Sequence, residues 1–478
     1  MKITVKHSGK TFEKEYDGPV FLIHVLKDLG IYIPAVCNGR GICGKCVVEA
    51  HGILSPSTEK ERDLFGEKKN FRLACTTKAL GDVQIIYNTF VKGMQVLTGG
   101  ISPDIQIKPD IGTGVAIDIG TTTVAAESFN LATGENIQTF TYENPQRAYG
   151  GDVMTRMEFA EKGGLETLKR LINGVIDEII EKSKAKKVVI SGNTAMLHFA
   201  AGLSTNNMSK APFVPESLFG YETGGKYFSP CVSAYFGSDI LNGIMAAGME
   251  KNFPSIIADI GTNGEMALFD GQKYYCCSTA AGPCFEGYGI EKGMPAVNSA
   301  INRVYIENGS LKYTVMGKEK PEGICGSGLA DYAAYLLELG IIDKTGFMAE
   351  NHYLCENVYI TPKDIRNLQL AKAAIRAGIE TLLEVSGTRG KIKAFFISGG
   401  LGNSVNVNSA VGLGLIPKEF EDISIPAGNT SLSGAAATLL DESYLNKAKE
   451  TAKKCEVIEL ADSEIFGEYF IKYMKFGE

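Results

Sequence analysis

The sequence predicts an α/β protein in which a small β-grasp module precedes a larger unit built by internal duplication. Three observations predict it. Short alternating strands and one amphipathic helix fill the first 88 residues. From Gly112 onward, apolar strands, small-residue turns and helical spacing follow one another, as in α/β folds with buried strands. Within that stretch GVAIDIGTTTVAAESF and SIIADIGTNGEMALFD share a strand, an Asp-Ile-Gly-Thr turn and a second strand. A duplicated βββαβα unit accounts for that repeat.

Taken in order, KITVKH and FEKEY read as strands joined by a turn at Ser8-Gly9. A helix is expected over 20–29, then strands at 47–50 and 83–87. Residues 89–111 contain Gly-Gly, Ser-Pro and Lys-Pro and read as a linker. The first half of the duplication is expected over 112–250, and the second, with a C-terminal extension, over 251–478. Apolar spacing predicts helices over 164–182, 239–249, 328–339 and 364–384.

At 478 residues, 44% apolar and 22% charged, the composition is that of a globular chain of several domains. A net charge of −7 offers no basic footprint for nucleic acid. Neither an 18-residue apolar run nor a signal-peptide apolar core is found, so a cytoplasmic protein without a membrane partner is expected. Eleven cysteines, an odd number, argue against a disulfide framework.

Four of those cysteines carry a pattern. Cys37-x5-Cys43-x2-Cys46 crowds one Gly-rich loop, and Cys75 stands alone further on. This is near the plant-type C-x4-C-x2-C…C spacing that holds a [2Fe–2S] cluster. Gly39, Gly41 and Gly44 allow the backbone to curl around such a group. A structural zinc site more often comes as two C-x2-C pairs, and a disulfide pair is the other rival. Cys276-Cys277-x6-Cys284 invites a second metal site, but adjacent strand residues face opposite ways, and packing is the expected role. The five histidines show no ligand-spaced pair.

The repeated turns have a physical use. Gly120 and Gly261 permit tight turns, so N–H groups and the hydroxyls of Thr121, Thr122 and Thr262 can face phosphate oxygens. Asp118 and Asp259 then stand where a carboxylate can hold Mg²⁺ through water or orient an attacking water. A third cluster, Ser398-Gly399-Gly400-Leu401-Gly402-Asn403, follows a strand and presents flat backbone to a nucleoside. Its spacing does not fit a dinucleotide fingerprint.

DIGTTT, DIGTNGE and SGGLGN in this order resemble the acetate and sugar kinase/Hsp70/actin superfamily of ATPases. That resemblance implies two duplicated ribonuclease-H-like lobes with ATP in the cleft. Residues 118–122 would form the first phosphate loop, and 259–265, with Asn263, the second. Gly399, Gly400 and Asn403 would lie at the nucleoside, and 239–249 and 433–440 would be paired inter-lobe helices. Joined to an N-terminal [2Fe–2S] ferredoxin, the chain resembles the ATP-dependent reductive activators of corrinoid proteins. NPQRAYGGDVMTRM, ISGNTAMLHFAAG, AAGPCFEG, GICGSGLADY, DIRNLQLAKAAIRAG and GNTSLSGA also match that family.

The resemblance implies reduction of Co(II) to Co(I) in a corrinoid protein, either a methyltransferase subunit or a corrinoid iron–sulfur protein. It further implies a low-potential electron donor upstream and ATP with Mg²⁺ as cofactors. Two departures stand out: about 20 linker residues replace a longer insert, which leaves a homodimer open, and Cys284 replaces a more usual Ala. Two other readings are an activator of 2-hydroxyacyl-CoA dehydratases, which would lack the ferredoxin, and a redox-regulated small-molecule kinase or sensor. Glu286 and Lys372 are candidates either to face the cleft or to form a structural ion pair, and the charged stretch 57–70 reads as a solvated helix and turn.

Overall fold

The computed structural model describes the chain apart from residues 8–9, 32, 34–40, 42–43, 45, 67, 69, 88–99, 102, 403 and 478. The turn at Ser8-Gly9, the ligand candidates Cys37 and Cys43, most of the expected linker, and Asn403 lie outside the described residues. Two compact units emerge: Met1–Lys92 with Pro145–Ile172, and Gly93–Asn144 with Asn173–Glu478.

In the first unit, Lys2–His7 pairs antiparallel with Lys10–Glu15 and parallel with Lys78–Ile86. Val47–Leu54 pairs with Lys78–Ile86 and with Phe71–Leu73. Alternation in KITVKH buries Ile3 and Val5 against Leu22, Val25 and Leu26 of the helix Leu22–Asp28. The segment Pro145–Ile172 belongs to this unit: the Tyr149 hydroxyl donates to Lys27 O at 2.8 Å. Lys27 Nζ lies 5.2 Å and 5.6 Å from the ring centres of Tyr149 and Phe159.

The stretch 57–70 is less solvated than expected. Its helix Glu59–Phe65 is closed by a Thr58/Glu61 capping box, and Glu61 is buried. One Glu61 oxygen accepts from Leu73 N (2.8 Å), the Thr77 hydroxyl (2.8 Å) and Arg72 Nε (3.1 Å). These bonds hold its carboxyl below the usual range despite burial, which acts the other way.

Among the described residues of the second unit, two six-stranded sheets repeat one plan. Thr113–Ile119, Thr123–Asn130 and Asn136–Glu143 form an antiparallel meander, with Ala185–Gly192 parallel to its first strand. Ser255–Ile260, Asn263–Phe269 and Tyr274–Ala280 repeat the meander, with Ala394–Ser398 parallel to its first strand. Register places Ser191 beside Asp118 and Ser398 beside Asp259, so both halves put a serine next to the aspartate that ends the strand. The C-terminal strand Cys455–Val457 extends the second sheet. Adjacent Cys276 and Cys277 do face opposite ways, each in a different hydrophobic cluster.

The helices Ser238–Ala247 and Thr430–Leu440 pack on each other between the sheets. Small residues permit this: a Cβ on Gly434 would stand 2.3 Å from Asn242 O, and one on Gly243 2.7 Å from the Thr430 hydroxyl. Three further helices, Leu165–Ser183, Gly326–Glu338 and Pro362–Ser386, lie within a few residues of the spans that periodicity predicts. Among the described residues no helix is long and apolar enough to cross a membrane.

Two substitutions test this packing. Gly434→Ala should cost roughly 1–3 kcal/mol by overpacking and lower Tm in a thermal melt; an unchanged Tm would contradict the close approach. Glu61→Ala leaves the buried Arg72 charge without its counterion and Thr77 without its acceptor, at a cost of about 3–5 kcal/mol. The first unit should then lose its secondary structure at lower denaturant, and an unchanged midpoint would contradict that role.

Candidate functional site

Both DIGT turns close on one cavity of about 250 Å³ within the second unit. Gly120, Thr121, Thr122, Gly261, Thr262, Asn263, Gly399 and Gly400 line it, together with Asp118 and Asp259. The sequence-predicted site residues of this unit are thus gathered in one place, apart from Asn403, which lies outside the described residues. Gly399 has φ 80°, and a Cβ there would stand 2.4 Å from Asp259 Oδ1. Only glycine lets this loop pass so close to the carboxylate.

Asp118 ends its strand with both oxygens engaged. Oδ1 accepts from the Ser431 hydroxyl at 2.7 Å and Oδ2 from Asn429 Nδ2 at 3.0 Å. Asp259 Oδ2 accepts from the Ser398 hydroxyl at 3.0 Å. Ser398 therefore serves the aspartate, although sequence reasoning assigned its loop only to the nucleoside. Asn429 and Ser431 begin the Thr430–Leu440 helix and were not assigned a role either. Their signal was present, since GNTSLSGA offers an N-cap Asn and a Ser ahead of a small-residue helix.

Two more acids point into the same space. Asp239 lies in the first turn of Ser238–Ala247, and Glu265 stands opposite Asp259 in the antiparallel register. Glu265 accepts from Asn193 Nδ2 at 3.4 Å. Burial, then the charges of Asp118 and Asp259, raise the Asp239 carboxyl to about 7. Burial raises Asp259 to about 7 as well, against the Ser398 hydrogen bond and with the charges of Asp118 and Glu286. Glu265 is pushed well above its usual range by burial and by Asp239 and Asp259, and burial raises Asp118. Among the described lining residues there is no lysine, arginine or histidine.

Glu286 faces the cleft and Lys372 does not. The Glu286 carboxylate accepts from the Thr122 hydroxyl at 2.9 Å, Thr262 N at 2.9 Å and the Thr262 hydroxyl at 3.0 Å. Lys372 is buried in Pro362–Ser386, donates to Lys475 O and lies 5.4 Å from the Phe476 ring centre, which ties down the C-terminus.

The donors fit a polyphosphate. Two turns present hydroxyls and N–H groups, and the glycine loop leaves room beside them. A cation fits as a shared ion only: among the described residues no three His, Cys, Asp or Glu side chains converge to cage one. Mg²⁺ typically completes its shell with water and phosphate oxygens, so this arrangement suits it. In the first unit, Cys46 and Cys75 are buried with their Sγ atoms 3.2 Å apart. Ala74 N donates to Cys46 O at 2.7 Å, which fixes the two segments together. Two thiolates on one tetrahedral metal would lie about 3.8 Å apart, given metal–sulfur bonds of about 2.3 Å. The pair suits a shared metal centre with little adjustment.

Fold and cavity define the class: a ferredoxin module on the same chain as a duplicated ATPase of the actin/Hsp70 kind. Family models match in three consecutive stretches. Residues 3–80 match the 2Fe-2S iron-sulfur cluster binding domain, 113–252 the RACo middle region, and 254–478 the C-terminal domain of RACo, the ASKHA domain. The corrinoid activation enzyme RamQ of Eubacterium limosum is 31% identical over 419 residues, 76% of this chain and 70% of that protein. The [Co(II) methylated amine-specific corrinoid protein] reductase of Methanosarcina barkeri is 28% identical over 419 residues, covering 75% of this chain and 76% of that protein. A solved reductive activator for corrinoid, iron-sulfur protein superposes with a TM-score of 0.70 at 26% identity, over 100% of this chain and 98% of that one. The chain belongs to the family of reductive activators of corrinoid proteins, enzymes with a [2Fe–2S] domain and an ATP-binding ASKHA domain.

The raised carboxyls set a pH test. A carboxyl at about 7 when folded and near 3.8 when unfolded keeps its proton longer in the folded state. Stability is therefore lost as pH rises between those values. Asp259→Asn removes that loss, so the nucleotide-free variant should gain on wild type as pH rises from 5 to 8, by roughly 3–8 °C in Tm. A difference that does not vary with pH would contradict the buried carboxylate.

Proposed function

We propose that this chain couples hydrolysis of MgATP to one-electron reduction of cobalt, from Co(II) to Co(I), in a partner corrinoid protein. Residues 1–88 act as the electron module, 89–111 as its tether, and 112–250 and 251–478 as the two nucleotide lobes. A low-potential one-electron carrier supplies the electrons. The observation that supports this most is the pairing, in a chain of this family, of converging Cys46 and Cys75 thiols with a carboxylate-rich nucleotide cavity.

Cys37, Cys43, Cys46 and Cys75 would hold a [2Fe–2S] cluster, which would supply single electrons near the −400 mV typical of plant-type centres. Moving one electron 100 mV uphill costs about 2.3 kcal/mol, so a couple lower than the cluster's needs a further drive. The cavity residues provide it. Thr121, Thr122, Thr262 and Asn263, with the N–H groups at Gly120 and Gly261, bind the phosphates, while Gly399, Gly400 and Asn403 receive the nucleoside. Asp118 and Asp259 would hold Mg²⁺ through water. ATP closes the lobes and favours the complex in which the cobalt loses or weakens an axial ligand, which raises its potential. Such coupling requires ATP to bind the two states with different affinity.

The test combines protein, a low-potential reductant and a Co(II) corrinoid protein with and without MgATP. Co(I) absorbance should rise only with MgATP. Cys75→Ser should abolish the rise while leaving MgATP affinity within about threefold, because the thiol lies in the other compact unit. Equal Co(I) formation without ATP would contradict the reading.

A further inference from the structure

We propose that Glu286 positions and deprotonates the water that hydrolyses ATP, a role that rests on the nucleotide reading above. Its place in the fold carries the inference. Glu286 ends the turn Pro283–Glu286. Its carboxylate binds Thr122 of the first loop and Thr262 of the second, so one side chain spans both. A Cβ on Gly261 would stand 3.0 Å from Glu286 Oε1, and one on Gly400 3.7 Å from its Cγ. All three glycine-bearing loops thus approach this side chain.

The turn that carries it is rigidly placed. Gly287 N donates to Cys284 O at 3.0 Å, and a Cβ on Gly326 would stand 1.8 Å from Phe285 O. The Gly326–Glu338 helix therefore packs backbone to backbone against the turn.

Three of the other four acids are held by neighbouring side chains, and Asp239 accepts from Ile240 N at 2.9 Å in the first turn of its own helix. Asp118 is held by Asn429 and Ser431, Asp259 by Ser398, and Glu265 by Asn193. Glu286 instead holds a hydroxyl of each loop and the Thr262 N–H, donors that phosphate oxygens need. An arriving polyphosphate takes those donors and frees the carboxylate beside its terminal group. A water bound to the freed carboxylate attacks the γ-phosphorus. The new oxygen–phosphorus bond forms as the bond to the β–γ bridging oxygen breaks, and ADP leaves with that electron pair. Glu286 takes one proton from the water and passes it to the inorganic phosphate, which returns the carboxylate to the loops.

The test uses the full-length, reconstituted protein and measures phosphate release and MgATP binding separately. Glu286→Gln keeps the shape and an acceptor oxygen but cannot take the proton. Hydrolysis should fall roughly 10²–10⁴-fold, while MgATP affinity stays within about threefold or tightens, since one negative charge leaves the cavity. Hydrolysis within about threefold of wild type overturns the proposal. A loss of MgATP affinity beyond about tenfold overturns it too, because Glu286 would then be building the pocket rather than acting on the water. Should the Gln variant not fold, Glu286→Asp, which withdraws the carboxylate by one methylene, must slow hydrolysis about tenfold or more with binding kept; a wild-type rate overturns the role. Wild-type protein that neither binds nor hydrolyses MgATP would instead sink the nucleotide reading, a separate outcome.

Discussion

Five carboxylates, Asp118, Asp239, Asp259, Glu265 and Glu286, face one cavity that no cationic side chain lines among the described residues. That concentration of like charge is the constraint on which the second unit turns. Desolvation and mutual repulsion push several of these groups toward their protonated forms. A polyphosphate adds still more negative charge, so on the proposed function it would enter with a cation. On the proposed function, hydroxyls and N–H groups of the two loops would then serve as phosphate donors, and Asp118 and Asp259 would hold the metal through water. A cavity with this donor set favours a metal–nucleotide complex over the nucleotide alone.

The same constraint explains the symmetry of the scaffold. Each half of the duplication delivers one aspartate at the end of its first strand, with a serine of the parallel neighbour alongside. Ser398 bonds Asp259 directly, whereas Ser191 reaches Asp118 only through Ser431, at 2.9 Å between hydroxyls. Close packing of Ser238–Ala247 on Thr430–Leu440 brings Asp239, Asn429 and Ser431 to the same point. The first loop is also tied to its surroundings. Asn144 N donates to Thr122 O at 2.9 Å, and its side-chain amide to Gly120 O at 2.8 Å. The next residue in the chain begins Pro145–Ile172, which belongs to the compact unit of the ferredoxin module.

Much of this was legible in the residues. Repetition of Asp-Ile-Gly-Thr fixes both loops because a tight glycine turn after a buried strand leaves few other uses for the aspartate. Long helices were legible from their apolar period, and the thiol pair from its spacing. What was hidden depends on partners distant in sequence. Nothing local in STEKERDLF shows that Glu61 turns inward to Arg72 and Thr77. Glu286 and Lys372 looked alike as isolated charges, and only tertiary packing sends one to the cleft and the other to Lys475. Short strands such as Tyr221–Thr223 and Lys226–Phe228 carry too few residues for a period to register.

The most direct measurement of the central claim is a calorimetric titration of ATP into the purified protein, once with Mg²⁺ and once with the metal chelated. An acid-lined cavity without cationic side chains among the described residues predicts affinity at least about 100-fold weaker when the metal is removed. Equal affinity in the two titrations would show that the carboxylates do not govern the site, and the account would fail.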